Sequence, residues 1–231
     1  MPKFIRMQFV SIIVASFFVL AAVPAKKEPG TPLATKLSAS GPMIVIDPGH
    51  GGRDIGARAK DPYCEEKKIT LTTARLVKKY LTQLGYRVAM TRDSDADISL
   101  AQRVEIAAQA DADLFVSVHF NSTRNQTVKG IEVFFSESSP TSGGASPSKV
   151  PSSRRLADVI LPRLILRTGT ISRGVKRGNF YVIRETTMPA VLVEGGFISN
   201  QDEREQLRTR EFQDKIARGI ADGIDVYFKK K

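Results

Sequence analysis

The feature that most constrains the fold is an apolar run that stops abruptly in a glycine-rich turn. Residues 43–46 are all apolar, and they are followed by Asp47, Pro48 and the sequence GHGG. Four consecutive apolar residues are typical of a buried strand. The glycines on either side of His50 leave steric room around its ring. The segment therefore predicts a strand that delivers a histidine to an open turn.

The chain contains only one other histidine, and it follows a second apolar run. His119 comes directly after residues 114–118 and is followed closely by Asn121 and Ser122. In open α/β sheets, ligands and metals bind in the crevice beyond the carboxyl ends of the strands. We therefore expect the two imidazole rings to converge on one site.

Strand and helix patterns alternate along the rest of the chain. Helical spacing begins at Glu66 and should stop at Gly85, a capping box opens at Ser99, and an amphipathic helix ends the chain. Further strands are predicted at 86–91, 130–135, 180–183 and 190–193. This alternation predicts a single α/β domain of three layers, with a mostly parallel or mixed sheet of about six strands flanked by helices.

Two segments between these elements lack a periodic pattern. Residues 54–64 are expected to form a loop. Residues 136–153 contain eight serines, three prolines and two glycines, a composition that favours a flexible loop. Helical spacing resumes at Leu156, in a helix that Pro162 should kink or break. Another short helix should follow Asp202, with Glu205 completing its capping signal.

The first 25 residues have the pattern of a secretory signal. Two basic residues precede an apolar run at 9–23, and small residues surround a cleavage position after Ala25. We predict that residues 1–25 are a signal peptide, residues 26–41 a flexible tether and residues 42–231 the catalytic domain. An uncleaved N-terminal anchor is the alternative. Either arrangement predicts an exported protein, located in the periplasm or cell envelope.

Charge and cysteine content narrow the function classes. The net charge is +11, and removing residues 1–25 lowers it to +9 because two cations and no acids are lost. An exported cation is expected to meet a polyanionic cell wall or a membrane surface, or the charge only keeps the protein soluble. Zinc-finger spacing and aromatic-studded basic stripes are both missing, which argues against nucleic-acid binding. The single cysteine, Cys64, excludes an intramolecular disulfide, and it is either a packed thiol or an oxidation-sensitive neighbour of the site.

The two histidines match the needs of a zinc hydrolase, which has three protein ligands and an open position for water. The third ligand should be a carboxylate, because Cys64 has no second cysteine to join it. Glu66 opens the helix after the glycine turn, and Glu65 is the competing choice. Both glutamates could instead serve only to stabilise the N-terminus of the helix, where a negative charge is favourable.

Glu194 is the fourth candidate. It follows the apolar residues 190–193 and precedes two glycines, so it should lie at a strand end with open surroundings. We expect it to act as a general base and acid beside the metal. The alternative is an ion pair with an arginine. Asn121 and Arg92 are candidate substrate-binding residues, although either could equally be a turn or ion-pair residue.

These segments together resemble the zinc-dependent N-acetylmuramoyl-L-alanine amidases, the bacterial cell-wall amidases. The resemblance covers about residues 43–228, and it rests on IDPGHGG, on Glu66-Lys67 with Leu71, on Thr91-Arg92-Asp93, on DLFVSVHFN and on PAVLVEGGFISN. It implies zinc held by His50, Glu66 and His119, with Glu194 as the catalytic carboxylate. It also selects Glu66 over Glu65, because the family glutamate directly precedes a lysine. The implied reaction is hydrolysis of the amide between the lactyl group of N-acetylmuramic acid and L-alanine of the peptidoglycan stem peptide.

The resemblance also sets expectations for regulation and partners. Some relatives insert a helix that plugs the zinc site, whereas the corresponding residues 136–153 show no helical period, so an open site is predicted. The expected partners are peptidoglycan and muropeptides, with no nucleic acid, membrane contact only through an uncleaved N-terminus, and a monomeric state. The sequence does not identify an activator protein.

Three other functions stay open at this point. One is another exported zinc amidohydrolase that uses the same ligands, and a second is a noncatalytic peptidoglycan-binding module of the same fold. The third is an added serine-type, penicillin-binding activity through the S-x-x-K sequence of Ser146 and Lys149. Prolines at 147 and 151 disturb the helix that this motif needs, so chance is the better explanation.

Overall fold

A computed structural model describes residues 41–141 and 147–229. The predicted signal peptide, all but the last residue of the predicted tether, and Ser146 lie outside the described residues.

The described chain alternates strands and helices. The elements are β1 (Met43–Pro48), β2 (Arg58–Lys60), β3 (Tyr63–Glu65), α1 (Glu66–Gln83), β4 (Arg87–Met90), α2 (Leu100–Gln109), β5 (Leu114–Asn121), β6 (Ile131–Phe135), α3 (Lys149–Thr168), β7 (Ser172–Arg177), α4 (Tyr181–Glu185), β8 (Ala190–Phe197), α5 (Gln201–Leu207) and α6 (Arg210–Lys229).

Six of the strands form one mixed sheet in the order β4-β1-β5-β8-β6-β7, and β2 and β3 form a separate hairpin. The first four strands of the sheet run parallel to one another, β6 runs antiparallel to β8, and β7 runs parallel to β6. The registers place His119, Glu194 and Glu132 side by side on β5, β8 and β6. The carboxyl ends of β1, β5 and β8 therefore meet at one edge of the sheet.

Helices cover both faces of the sheet. Helices α1, α3 and α6 pack together on one face over the larger apolar core, which includes Ile44, Val116, Leu164 and Ile220. Helices α2 and α4 cover the other face over a smaller core, which includes Phe115, Val182 and Leu192. The predicted three-layer α/β fold with a mixed sheet of about six strands is confirmed.

Local signals set several helix ends where the sequence predicts them. Helix α1 begins at Glu66, and Gly85 follows its end with φ of 90°, a backbone conformation that favours glycine. At the start of α2, the Ser99 side chain accepts from the Gln102 backbone N–H while the Gln102 side chain accepts from the Ser99 N–H. This is the predicted capping box.

One strand assignment made from the sequence is wrong, and one strand of the sheet was not predicted. Residues 180–183 were expected to form a strand, but Tyr181–Glu185 form the short helix α4, with Val182 and Ile183 buried on one side. A run of apolar residues this short does not distinguish strand from helix. Residues 172–177 form the edge strand β7, which the sequence pattern did not indicate because every residue in it is at least partly exposed.

Both expected loops contain regular structure. Residues 54–64 include most of the β2–β3 hairpin, and the segment 136–153 ends inside α3, which already begins at Lys149. Pro151 lies in the first turn of α3, where a missing N–H costs nothing. The helix also continues through Pro162 to Thr168, so Pro162 does not end it.

The short helix near Asp202 forms, although its cap differs from the expected one. The N-cap is Asn200, whose side chain accepts from the Glu203 backbone N–H, and α5 begins at Gln201. Throughout residues 41–141 and 147–229, the helices lack the combination of length and apolar character that a membrane crossing requires.

Candidate metal centre and active site

The glycine turn after β1 brings His50 close to the other candidate ligands. His50 itself has φ of 59°, in the left-handed region, which few non-glycine residues adopt. A Cβ atom on Gly49 would lie 2.1 Å from the His119 ring, and one on Gly56 would lie 2.6 Å from both Glu66 Oε2 and the His50 ring. These glycines are required because any side chain there would occupy the space where the three residues meet.

His50, Glu66 and His119 converge at the carboxyl end of the sheet. His50 Nε2 lies 3.0 Å from Glu66 Oε2, and His119 Nδ1 lies 2.9 Å from Glu66 Oε1. One ligand atom from each residue lies within 4.8 Å of the others. The histidine side chains are about one-fifth exposed, at 22% and 19%, so solvent reaches the cluster. The sequence-based expectation of a shared site agrees with this geometry.

The donor set suits zinc. Two imidazole nitrogens and one carboxylate form a common ligand set of catalytic zinc sites. Asp54 Oδ2 lies 2.8 Å from His50 Nδ1, which leaves the Nε2 atom directed at Glu66. A carboxylate on the far nitrogen of a ligating histidine fixes the ring orientation and raises its basicity. Three ligands and a partly exposed position beside them fit the requirements of a hydrolytic zinc site.

The Glu66 carboxylate is held in its ionised form. The backbone N–H of Ala57 donates to Oε2 at 2.8 Å, and that of Phe120 donates to Oε1 at 3.1 Å. Burial by itself raises the pKa of Glu66, but the hydrogen bonds and charges of His119 and His50 outweigh it and hold the pKa well below its usual range.

The pKa of His50 is raised by its acidic neighbours. Burial lowers this pKa, but the hydrogen bonds and charges of Glu66 and Asp54 have the larger combined effect. Without a cation in the cluster, these carboxylates therefore favour a protonated ring. A cation with the charge of zinc would occupy the same position and favour the neutral ligating form.

One carboxyl oxygen of Glu194 is buried without a hydrogen-bond partner among the described residues. Its side chain ends the apolar part of β8, directly beside His119 on β5 and Glu132 on β6. Among the described residues, nothing hydrogen-bonds to the Glu194 Oε2 atom. Burial, followed by the negative charges of Glu66 and Glu132, raises the pKa of Glu194 well above its usual value of 4.5. The raised pKa makes the ionised carboxylate a stronger proton acceptor, which suits a group that takes up a proton and later returns it.

Asp47, three residues before His50, is buried and fully paired. It accepts from Thr91 Oγ1 at 2.6 Å, from Arg103 Nη1 at 2.7 Å and from Ser117 Oγ at 2.7 Å. Burial raises the pKa of Asp47, but the Arg103 charge and the hydrogen bonds from Thr91, Ser117 and Arg103 bring it below 3.8. Arg103 also donates to the backbone carbonyl of His50 at 2.7 Å, so this network holds the turn that carries the ligand.

Arg92 lies apart from the cavity lining and supports the same turn. Its guanidinium is buried and donates to the carbonyl oxygens of Pro48 at 3.1 Å, Gly49 at 2.7 Å and Lys67 at 3.0 Å. Of the two interpretations made from the sequence, substrate contact and a turn residue, the geometry favours the turn residue. Substitution of Arg92 should therefore affect the turn that carries His50, referred to below as the ligand turn, rather than substrate contacts.

The cluster opens into a cavity of about 330 Å³. Asn121 lines it, as expected for a substrate-binding residue, and its Nδ2 donates to Glu132 Oε2 at 3.3 Å. The cavity also has an apolar portion that the sequence reading missed, made of Leu100, Phe180 and Tyr181. Asp54 was also missed, although an acidic residue four positions after His50 in the same turn is a signal that could have identified it.

The remaining candidates lie outside this cavity. Cys64 is buried, and burial raises the pKa of its thiol to about 11, which suits a packed side chain rather than a nucleophile. Lys149, the lysine of the S-x-x-K sequence, is buried at the start of α3 and donates to the Arg184 carbonyl at 2.6 Å. It is not among the residues that line the catalytic cavity.

Comparisons with known proteins agree with this geometry. Residues 44–226 match the family model described as N-acetylmuramoyl-L-alanine amidase. The chain is 35% identical over 217 residues to N-acetylmuramoyl-L-alanine amidase LytC of Bacillus subtilis (strain 168), which covers 93% of this chain and 41% of LytC. It is 33% identical over 210 residues to the germination-specific N-acetylmuramoyl-L-alanine amidase of the same organism, which covers 84% of this chain and 83% of that protein.

Solved structures of similar proteins share the fold. The catalytic domain of CwlV, an N-acetylmuramoyl-L-alanine amidase from Bacillus (Paenibacillus) polymyxa var. colistinus, matches with a TM-score of 0.73 and 38% identity, covering 82% of this chain and 99% of that one. The CwlD amidase from Clostridioides difficile, solved in complex with the GerS lipoprotein, matches with a TM-score of 0.73 and 29% identity, covering 82% of this chain and 100% of that one. The chain spans less than half the length of LytC.

Proposed function

The chain belongs to the N-acetylmuramoyl-L-alanine amidase family, and on this premise we propose that it hydrolyses the amide between the lactyl group of N-acetylmuramic acid and L-alanine of the peptidoglycan stem peptide. The observation that carries the proposal is the convergence of His50, Glu66 and His119 within 4.8 Å, beside the buried carboxyl of Glu194, whose Oε2 atom has no hydrogen-bond partner among the described residues. A noncatalytic wall-binding module has no need of that carboxyl.

We assign zinc to His50, Glu66 and His119. When bound, zinc supplies Lewis acidity toward the lactyl carbonyl and lowers the pKa of a water in its open position to about 7. Asp54 orients the His50 ring, and the backbone N–H groups of Ala57 and Phe120 orient the Glu66 carboxylate. These contacts fix the ligands before substrate arrives.

Glu194 carries the proton transfers. Its carboxylate accepts a proton from the attacking water as the oxygen forms a bond to the lactyl carbon. The same carboxyl then donates that proton to the nitrogen of L-alanine as the carbon–nitrogen bond breaks. The products are a lactyl carboxylate and a stem peptide with a free amino group. The raised pKa of Glu194 favours the first transfer, because it makes the carboxylate a stronger proton acceptor.

The site should be accessible without the removal of an inhibitory segment. Within the described residues, the cavity is open, and the His50 and His119 side chains are partly exposed. CwlD is known in complex with GerS, so an accessory protein is one way in which a relative of this chain assembles. We propose that this chain acts on muropeptides by itself, as a monomer.

We place the reaction in the periplasm or cell envelope. Relatives of the chain are described as cell wall amidases. We propose residues 1–25 as the export signal, residues 26–41 as the tether and residues 42–231 as the catalytic domain. The net charge of +9 that remains without residues 1–25 would favour contact with anionic wall polymers.

Mass spectrometry of digested muropeptides tests the proposal. The purified protein is incubated with muropeptides with and without a zinc chelator, alongside Glu194→Ala. Release of intact stem peptides that begin with L-alanine, lost with chelator and in the variant, is the expected result. Cleavage at another bond would indicate a different amidohydrolase. Zinc binding and wall binding without any cleavage would indicate a binding module.

A further inference from the structure

Large apolar side chains that are exposed on the described surface cluster at the catalytic cavity. The described residues include seven such side chains, namely Tyr63, Leu84, Leu100, Leu166, Ile171, Phe180 and Tyr181. Three of them line this one cavity, with exposed fractions of 54% for Leu100, 40% for Phe180 and 37% for Tyr181. Clustered exposed apolar groups in a concave site mark a surface that a ligand covers. We refer to Leu100, Phe180 and Tyr181 as the apolar wall.

The apolar wall is held in place by its surroundings. The Phe180 ring packs edge-on against Phe134 with a centroid distance of 5.2 Å. A Cβ atom on Gly178 would lie 2.6 Å from the Phe180 ring, so the glycine at this position lets the ring lie against the backbone. Leu100 is the first residue of α2, whose start is fixed by the capping box. A preorganised wall loses little entropy when it binds a ligand.

Charge differs between the apolar wall and the groups linked to Asn121, another residue of the cavity lining. The three residues of the apolar wall are uncharged. Asn121, elsewhere in the lining, contacts Glu132, which in turn accepts from Arg173 Nε at 2.6 Å and from Lys176 Nζ at 2.5 Å. Glu132, Arg173 and Lys176 lie beyond the lining residues, and together they contribute two cations and one anion. Both cations are about one-third exposed, at 34% and 37%.

The two halves of the substrate differ in the same way. On the sugar side of the scissile amide is a pyranose ring with an apolar face of C–H groups, and its lactyl carboxyl is neutral in the amide. On the peptide side is a chain that ends in a carboxylate. Aromatic rings offer a flat apolar surface to such a sugar face, whereas Arg and Lys attract a carboxylate.

We propose that the apolar wall is the sugar subsite of the enzyme, with Phe180 and Tyr181 covering the apolar face of the muramic acid ring, and that the stem peptide extends toward Asn121, Arg173 and Lys176. This inference rests on the proposed function, since it assigns the two halves of that substrate. It makes Phe180 and Tyr181 specificity-determining residues that take no part in proton transfer.

Inhibition by the two product fragments tests the assignment. The inhibitors are a disaccharide that ends in N-acetylmuramic acid and a stem peptide that begins with L-alanine. For Phe180→Ala and Tyr181→Ala, the inhibition constant of the disaccharide should rise about tenfold, while that of the peptide stays within about twofold. Phe180→Tyr should keep the wild-type value for the disaccharide. Leu166→Ala, an exposed apolar residue outside the cavity, is the matched control and should change neither constant. Thermal unfolding confirms that each variant is folded.

Other outcomes overturn the proposal. Weaker inhibition by the peptide alone would assign the apolar wall to the stem peptide. An equal loss for both fragments would mean that the wall only shapes the cavity. If wild-type protein cleaves no muropeptide, the proposed function is wrong, but the sugar subsite can still be tested. Direct binding of the disaccharide is then measured by NMR. Binding that Phe180→Ala weakens would still support a sugar subsite, and no binding to wild-type protein would overturn it.

Discussion

Asp47 on β1 and Glu194 on β8 are both buried carboxylates that follow an apolar run, and both strands flank β5. Their surroundings differ. Asp47 accepts hydrogen bonds from Thr91, Arg103 and Ser117, whereas one carboxyl oxygen of Glu194 is buried without a partner among the described residues. The pKa of Asp47 is lowered and that of Glu194 is raised. The same chemical group at a strand end is therefore paired and supports the turn that carries His50 in one case, and in the other it has an unpartnered oxygen and a raised pKa.

The largest effect is expected from removing the acid of Glu194. Glu194→Gln keeps the shape of the side chain but cannot exchange a proton, so hydrolysis should fall by about 10²- to 10⁴-fold. The free energy of unfolding should stay unchanged or increase, because no hydrogen bond to Oε2 is lost. Stem-peptide release and thermal unfolding measure the two quantities.

Glu132→Gln is the matched control for that prediction. Glu132 is the neighbour of Glu194 in the sheet and is also buried, but Arg173 and Lys176 bind it. This variant should lose stability and keep more activity than Glu194→Gln. A larger loss of activity for Glu132→Gln than for Glu194→Gln would mean that Glu132, the paired carboxylate, is the catalytic one.

Asp47→Asn should have the largest effect on stability. The change leaves the Arg103 guanidinium, itself 4% exposed, without its counter-charge, and unpairing a buried ion pair costs about 3–5 kcal/mol. Asp222→Asn, which breaks the more exposed pair with Arg167, should cost less than about 1 kcal/mol. Urea unfolding of both variants measures the difference, and equal losses would contradict the role given to Asp47.

The stabilisation from Asp47 also has a defined pH dependence. Because its pKa in the folded protein is below 3.8, the contribution is fully present above that value and is lost as the pH falls through the lowered folded-state pKa. The stability difference between wild type and Asp47→Asn should therefore shrink in acid. A constant difference down to low pH would show that the carboxylate charge is not responsible.

Much of the site follows from local sequence patterns. The apolar runs before His50, His119 and Glu194 identify the strands, and a parallel sheet brings their carboxyl ends together. The start of the helix leaves Glu65 and Glu66 as alternatives, and the resemblance to the amidases selects Glu66. The strand ends can be located in this way because each depends on a short segment whose periodicity is clear.

The sequence does not reveal which strand-end acid is paired. Asp47 and Glu194 look alike along the chain, and the difference arises from partners that are 44 and 56 residues away from Asp47. The same limit applies to Arg92, whose acceptors are backbone carbonyls of a distant turn. It also applies to the start of α3, where the Ser153 hydroxyl accepts from the backbone N–H of Ala190. Tertiary contacts of this kind leave no local periodic signal.

Asp54 is a third carboxylate, intermediate between the two, because it is 64% exposed but bound to the His50 ring at 2.8 Å. Asp54→Ala should weaken zinc affinity by about 10- to 100-fold, since the ring loses the partner that orients it. Competition with a chromophoric chelator measures the affinity. Asp97→Ala removes an exposed partner of Arg53 instead and should leave zinc affinity unchanged. Equal affinities of the Asp54 variant and wild type would contradict the positioning role.

Lys149 extends the comparison to a buried cation. Burial lowers its pKa from 10.5 to about 8, although the charge of Glu185 opposes the shift. Because the pKa of Lys149 is lower in the folded protein than in the unfolded chain, burying the protonated amine destabilises the folded state below pH 8. This destabilisation is relieved as the pH rises toward 10.5. Wild-type stability relative to Lys149→Met should rise by on the order of 2 kcal/mol across that window. A stability difference that does not change with pH would show that the hydrogen bond to the Arg184 carbonyl already offsets the burial of the Lys149 amine.

The smallest effect is expected at the capping box that starts α2. Ser99→Ala removes the acceptor for the Gln102 N–H, and losing such a cap costs about 1 kcal/mol. Helix α2 carries Arg103, the partner of Asp47, so the substitution weakens the support of that ion pair without touching either charge. Ser99→Asp keeps a capping acceptor and should retain most of the wild-type stability.

Combining Ser99→Ala with Asp47→Asn separates the two sources of support for the ligand turn. Because Ser99→Ala acts partly through the Asp47–Arg103 pair, the double variant should lose less than the sum of the single losses, which urea unfolding measures. A loss for Ser99→Ala as large as that for Asp47→Asn would mean that the helix start, rather than the buried pair, holds the turn. The contrast between Asp47 and Glu194 would then reflect helix placement instead of the pairing of each carboxylate.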